Sequence, residues 1–317
     1  MKFRLQRTAK LKVLLTGGTG LVGRNVIERF SGEDGIELIC PSREELDLMN
    51  TADVLSYVEG CRPDVIVHAA GLVGGIQANI AQPFSFLYKN LMIGCNVVFA
   101  AKEFGVLRLI NLGSSCMYPK AAENPLREGS ILGGALEPTN EGYAIAKISV
   151  AKLAEYCAQE FNCNYKTLIP CNLYGRFDNF DPQNSHMIPG VIRKIHEAKK
   201  NKSDVVEIWG DGSARREFMY AGDLADFIFF AVRHYDACPQ VLNVGLGHDY
   251  NINEYYRAIA EVVGFKGDFV YDLSKPSGMK RKLCDISKLT SLGWRAEHSL
   301  ESGLKKTYSY FLNEVNV

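Results

Sequence analysis

An apolar run that ends in three evenly spaced glycines leaves this chain few folds to choose from. Lys12-Val13-Leu14-Leu15-Thr16 has the length and content of a buried strand, and an amphipathic stretch runs on through Phe30. Between them lies Gly17-Gly18-Thr19-Gly20-Leu21-Val22-Gly23. Gly17, Gly20 and Gly23 permit a tight turn, a close approach to a pyrophosphate, and close packing of helix on strand. The helix start then offers N–H groups to the phosphates. Placed between a strand and a helix, the motif predicts dinucleotide binding, with Thr19, Leu21 and Val22 beside the cofactor.

The same alternation continues down the chain. Ile36 to Cys40, Pro63 to Ala70, Arg108 to Leu112 and Lys166 to Ile169 read as further strands, with long helices at Phe84 to Phe104 and from Tyr143 to Phe161. The expectation is an α/β fold, a Rossmann-type doubly wound parallel sheet with a smaller mixed α/β substrate lobe. The sheet domain is expected over 10–172 and the substrate lobe over 173–317, with a segment near 218–245 returning to the sheet. Arg176 to Pro189 is polar and reads as a long functional loop, followed by helices near Ile188 to Lys200, Asp223 to His234 and Asn253 to Val263. The second strand ends in Pro41-Ser42-Arg43, where an NAD-specific site carries an acid for the ribose 2′-hydroxyl. Ser42 and Arg43 therefore point to NADP(H), unless Arg43 merely pairs with Glu44 or Glu45.

Composition excludes more than it selects. With 36 acidic and 36 basic residues, the chain has no net field to draw nucleic acid or an anionic membrane. Its nine cysteines are scattered without a C-x-x-C, which predicts neither a zinc site nor a disulfide framework and fits a reducing cytoplasm. The basic start, Met1 to Lys12, lacks the apolar run of a signal peptide, and no other stretch is expected to span a membrane.

Tyr143 and Lys147 stand at i and i+4 on one helix face. An ammonium beside a phenol favours the phenolate, which predicts a tyrosine ready to exchange protons. Ser114, just past the fourth strand, is placed to bind a carbonyl oxygen beside Tyr143. Taken alone, Cys116 is a small buried thiol and His186 a loop histidine.

The assembled motifs resemble the extended short-chain dehydrogenase/reductases, and within them the GDP-L-fucose synthase family. They are Val73-Gly74-Gly75-Ile76 with Ala78-Asn79, Gly113-Ser114-Ser115-Cys116, and Glu137-Pro138-Thr139-Asn140-Glu141 with Tyr143-Ala144-Ile145-Ala146-Lys147. They continue in Asn172-Leu173-Tyr174-Gly175, Asp178-Asn179-Phe180, Ser185-His186, Ile208-Trp209-Gly210, Arg216-Glu217-Phe218 and Arg281-Lys282-Leu283. The resemblance implies that Ser114, Tyr143 and Lys147 form a reductase triad and that Cys116 and His186 are an epimerising acid/base pair. It also implies NADP(H) contacts at Ala69, Ala70, Lys147, Pro170, Asn172, Leu173 and His186. Lys194, Trp209, Arg216 and Lys282 fall where the family holds the GDP-linked keto sugar. The chain departs from the pattern at Gly18 or Thr19 (often arginine), Cys171 (threonine), Lys194 (arginine) and Ser277 (an acid). These changes bear on the sugar more than on the reaction type.

The implied activity is NADPH-dependent epimerisation at C3 and C5, and reduction at C4, of GDP-4-keto-6-deoxymannose. Two alternatives stand beside it: a C4-reductase of another GDP-linked keto sugar such as a 6-deoxyheptose, and a non-catalytic NADP-binding sensor. Helices 84–104 and 143–161 carry apolar residues around more of their circumference than one sheet face covers, which predicts a homodimer built on four helices.

Overall fold

The computed structural model describes residues 10–182, 185–274 and 279–315; Ser277 and most of the basic N-terminal stretch lie outside them. Five strands and five helices alternate first: β1 (Leu11–Thr16), α1 (Leu21–Phe30), β2 (Ile36–Ile39), α2 (Thr51–Cys61), β3 (Val65–His68), α3 (Ile76–Ala81), α4 (Pro83–Glu103), β4 (Arg108–Leu112), α5 (Glu141–Phe161) and β5 (Asn164–Pro170). Then come β6 (Asn172–Tyr174), α6 (Met187–Lys200), β7 (Val205–Trp209), β8 (Arg215–Arg216), β9 (Phe218–Tyr220), α7 (Ala221–Arg233) and β10 (Val241–Val244). The last elements used below are β11 (Tyr250–Asn251), α8 (Ile252–Val263), β12 (Asp268–Asp272) and β13 (Arg281–Lys282).

Six strands form one parallel sheet in the order β10-β5-β4-β3-β1-β2. Parallel strands covered on both faces read as continuous apolar runs, and all four residues of β3 are buried. One face packs α1 and α7 through Val13, Leu15, Val26, Phe227 and Ile228. The other packs α2, α4 and α5 through Leu14, Ile66, Val97, Val150 and Tyr165. The helix pair α4–α5 approaches closely because Gly94 has no side chain to collide with Val150. The strand order reverses between β1 and β3, since β2 lies outside β1, and that crevice is where ligands collect in such sheets.

A second apolar core joins α6, β7, α8 and the helix Leu300–Tyr310 through Ile188, Ile192, Val206, Ile208, Ile259 and Leu304. Two small sheets also form: β6 pairs with β9, and β8 lies between β11 and β13. The helix α4 corrects one sequence expectation, because by length and composition it could cross a membrane. Its apolar content has another use in this fold: 44% of that window is buried, and the helix packs on α5.

Candidate active site

The glycine loop is shaped by what surrounds it. Gly17 has φ +81°, a region that favours glycine, and a Cβ there would sit 2.6 Å from the Ala70 backbone. A side chain at Gly23 would overlap the Gly17 carbonyl, so α1 lies directly on the turn. Gly20 is the N-cap of α1 with no side-chain cap, leaving the first-turn N–H groups of Leu21 and Val22 open to an anion. Thr19 and Gly20 are exposed at the mouth. Behind them, Thr16 Oγ1 and His68 Nδ1 meet at 2.8 Å and tie β1 to β3 at the crevice. Burial and the Lys147 charge push His68 down to about 3, so this tie is neutral. A cradle with no room for side chains and an uncapped helix start fits a dinucleotide.

A Cβ on Gly18 would overlap the Cys40 sulfur, so a side chain there requires Cys40 to shift. Arg43 is exposed and makes no ion pair among the described residues. Glu45 instead accepts the Ser42 N–H at 2.7 Å, while its own N–H donates to Ser42 Oγ.

Tyr143 and Lys147 do share a face of α5, with the ammonium 5.8 Å from the phenol ring centroid. The electrostatics differ from the sequence expectation. Burial raises the Tyr143 phenol well above the ordinary tyrosine range, a nearby Cys116 charge adds to this, and a hydrogen bond with Ser114 only partly offsets it. Lys147 is 7% exposed and donates to the Leu112 carbonyl at 2.9 Å, and burial pushes it down to about 8. Desolvation therefore outweighs the ammonium, and Tyr143 is held as a protonated acid. Ser114 caps the short 3-10 helix Ser115–Met117, its Oγ accepting the Cys116 N–H at 3.2 Å. That cap sets Ser114 and Cys116 two residues apart beside Tyr143.

Cys116 Sγ receives Asn140 Nδ2 at 3.1 Å and Lys282 Nζ at 3.5 Å. Lys282, expected with the sugar-binding residues, thus reaches the thiol. The parallel pairing of β13 with β8 sets Arg216 opposite Lys282. Arg216 lies near enough to feel Glu137 and Cys116, although burial pulls its pKa down. Lys194 and Trp209 form a separate group around Glu207. Lys194 donates to the Glu207 carbonyl at 2.7 Å and the Trp209 indole to Glu207 Oε1 at 3.0 Å. Trp209 is 46% exposed, whereas Trp294 is 7% exposed in the core; a flat exposed indole suits stacking. His186 is the N-cap residue of α6, and burial lowers its pKa. The preceding Ser185 carbonyl packs on Gly75, at the end of the glycine-rich loop after β3. Pro170 ends β5, and Asn172 and Leu173 open β6, where Asn172 Nδ2 donates to the Glu217 carbonyl at 2.9 Å. Among the described residues, no hydrogen bond joins His186 to Cys116.

Several structural partners had no assigned role in the sequence. Asn90 grips Leu72 through both its N–H and its carbonyl, holding the loop after β3 beside Lys147. Asn140 is at the α5 N-cap, a common place for asparagine, and that common role hid its contact with Cys116. Glu217 is fully buried, and its carboxylate accepts the N–H groups of Leu246, Gly247 and Cys284. A buried acid in a run of charges looks like any solvated face until its long-range partners are known.

The chain is similar to known proteins over most of its length. Residues 13–252 match the NAD dependent epimerase/dehydratase family. A GDP-L-colitose synthase from Yersinia pseudotuberculosis is 54% identical over 96% of this chain and 99% of its own. A GDP-L-fucose synthase from Azorhizobium caulinodans is 52% identical over 96% of this chain and 98% of its own. A solved GDP-mannoheptose C4 reductase from Campylobacter jejuni, with NADP bound, is 32% identical with a TM-score of 0.87, covering 96% of this chain and 99% of that one. With the glycine cradle at the strand reversal and the tyrosine–lysine pair beside it, the match over most of its length makes this chain a member of the NAD dependent epimerase/dehydratase family.

Proposed function

We propose that the chain is an NADPH-dependent epimerase and reductase that converts GDP-4-keto-6-deoxymannose to GDP-L-fucose in the cytoplasm. The observation that carries this is the thiol of Cys116, held by Asn140 and Lys282 two residues from Ser114 and beside Tyr143. A plain reductase needs the serine, tyrosine and lysine; a thiol in the same pocket adds a group that can move protons on carbon. The C4 ketone acidifies the hydrogens on C3 and C5. Cys116 and His186 take and return those protons on opposite faces of the sugar. Ser114 donates to the ketone oxygen, and Tyr143, kept protonated by burial, gives that oxygen its proton. Bound at the glycine cradle, NADPH would supply the hydride for C4. Gly17, Gly20, Gly23, Thr19, Leu21 and Val22 would hold its pyrophosphate, Ser42 and Arg43 the 2′-phosphate, and Ala69, Ala70, Pro170, Asn172, Leu173, Lys147 and His186 the remainder. Arg216 and Lys282 meet the substrate diphosphate, with Trp209 and Lys194 toward the nucleotide.

Product identification tests the reading. Incubation with NADPH and GDP-4-keto-6-deoxymannose should give GDP-L-fucose by NMR; a C4-reduced sugar with C3 and C5 uninverted would overturn it. The C4-reductase alternative has its own support in the heptose reductase at 32% identity. The colitose synthase at 54% identity likewise keeps the sugar open to test.

Cofactor choice rests on Arg43. Arg43→Asp should narrow or reverse the preference for NADPH over NADH by roughly tenfold or more, because a carboxylate repels the 2′-phosphate. Dissociation constants for both cofactors check this, and an NADH preference in the unaltered protein would sink the assignment.

The same proposal includes a homodimer. Phe84 (73% exposed), Tyr88 and Phe99 on α4, with Ile145, Leu153, Tyr156 and Phe161 on α5, leave large apolar side chains exposed along both helices. Pairing those helices with a second copy makes a four-helix interface. Light scattering at micromolar concentration should give twice the chain mass; a monomer there would count against it.

A further inference from the structure

Four cations share two strands of two residues each. β8 carries Arg215 and Arg216, β13 carries Arg281 and Lys282, and the parallel register sets Arg215 against Arg281 and Arg216 against Lys282. Successive side chains on a strand point to opposite faces, so the ladder has one face of two arginines and one of Arg216 and Lys282. The second face is at the candidate active site, where Lys282 reaches Cys116. Like charges directly opposite destabilise a strand pair, and strands this short have little ladder to resist it.

Asp249 answers those charges from the first face. Its side chain is 2% exposed. Oδ1 accepts Arg215 Nε at 2.7 Å, Oδ2 accepts Arg281 Nε at 2.6 Å, and the Asp249 carbonyl takes Arg215 Nη2 at 2.6 Å. Asp249 directly precedes β11, which pairs with β8 on the side away from β13. One carboxylate thus spans three strands. Burial works against its charge, but the two guanidiniums prevail and hold the carboxyl below the usual range. Glu254 adds only a longer contact of 3.7 Å to Arg215.

We infer that Asp249 is a positioning residue for the substrate: by clamping Arg215 and Arg281 on one face of the ladder, it holds Arg216 and Lys282 side by side on the other, where they receive the diphosphate of a GDP-sugar. The inference rests on the GDP-sugar reading above and adds to it a residue with no contact to substrate or cofactor. Without the carboxylate bridging Arg215 on β8 to Arg281 on β13, the short ladder loosens and the two inner cations lose their common aim.

Asp249→Asn keeps the shape and removes the charge. Calorimetry with GDP, steady-state kinetics with the keto sugar, NADPH binding and thermal melting are read together. The GDP dissociation constant and the sugar KM should rise roughly tenfold or more, with kcat within about threefold and NADPH affinity unchanged. Unchanged GDP affinity and KM would overturn the inference. So would a parallel loss of GDP and NADPH affinity with a lowered melting temperature, which marks general support of the fold. Arg281→Met removes one arm at a half-exposed side chain and decides the matter if Asp249→Asn does not fold. A raised KM with normal NADPH affinity then supports the clamp, and a normal KM overturns it. Failure of the unaltered protein to bind GDP would overturn the GDP-sugar reading itself, whereas normal GDP binding in all variants counts against Asp249 alone.

Discussion

Tyr143→Phe is expected to slow NADPH oxidation about 100- to 10,000-fold while solvent deuterium still enters the keto sugar. The substitution removes one hydroxyl and keeps the ring in its edge contact with Phe86, at 6.3 Å between centroids. On the proposed mechanism, what is lost is the acid that protonates the C4 oxygen. Because burial holds that phenol protonated, its role in the reducing direction is donation. On the proposed mechanism, exchange at C3 and C5 needs Cys116, His186 and a ketone polarised by Ser114, all of which the variant keeps. Loss of NADPH absorbance measures the first effect and NMR in deuterated buffer the second. An unaltered oxidation rate would remove Tyr143 from the reaction.

Cys116→Ser should produce the opposite pattern. A serine hydroxyl gives up its proton far less readily than a thiol, so exchange should fall about 100- to 10,000-fold. The variant keeps a group that can accept from Asn140 and Lys282, so the pocket retains its hydrogen bonds. Reduction should continue slowly on the unepimerised ketone and yield the wrong sugar. Normal exchange at both carbons would reduce Cys116 to a packed thiol and end the epimerase assignment.

The two halves of this site differed in how far the sequence revealed them. The glycine loop was legible because a backbone conformation leaves a local mark: Gly17 needs its positive φ, and Gly23 must be bare for α1 to lie on the turn. Tyr143 and Lys147 were legible as a pair because helical spacing fixes their face. Their protonation was not, since the expected pull of the ammonium is local while the burial that exceeds it comes from the whole fold. Contacts across long stretches of chain left no local mark either. Lys282 meets Cys116 across 166 residues, and Asp249 meets Arg215 and Arg281 across 34 and 32. The motif containing Lys282 was visible, but its contact with the thiol was not. The same holds for α4, whose apolar content alone cannot separate a helix packed on α5 from one in a membrane.

The most direct measurement is position-resolved exchange in the unaltered protein. GDP-4-keto-6-deoxymannose is incubated with it in deuterated buffer without NADPH, and the sugar protons are followed by NMR. The account predicts deuterium at both C3 and C5. No deuterium at either carbon, with NADPH on addition reducing the uninverted ketone, would contradict it.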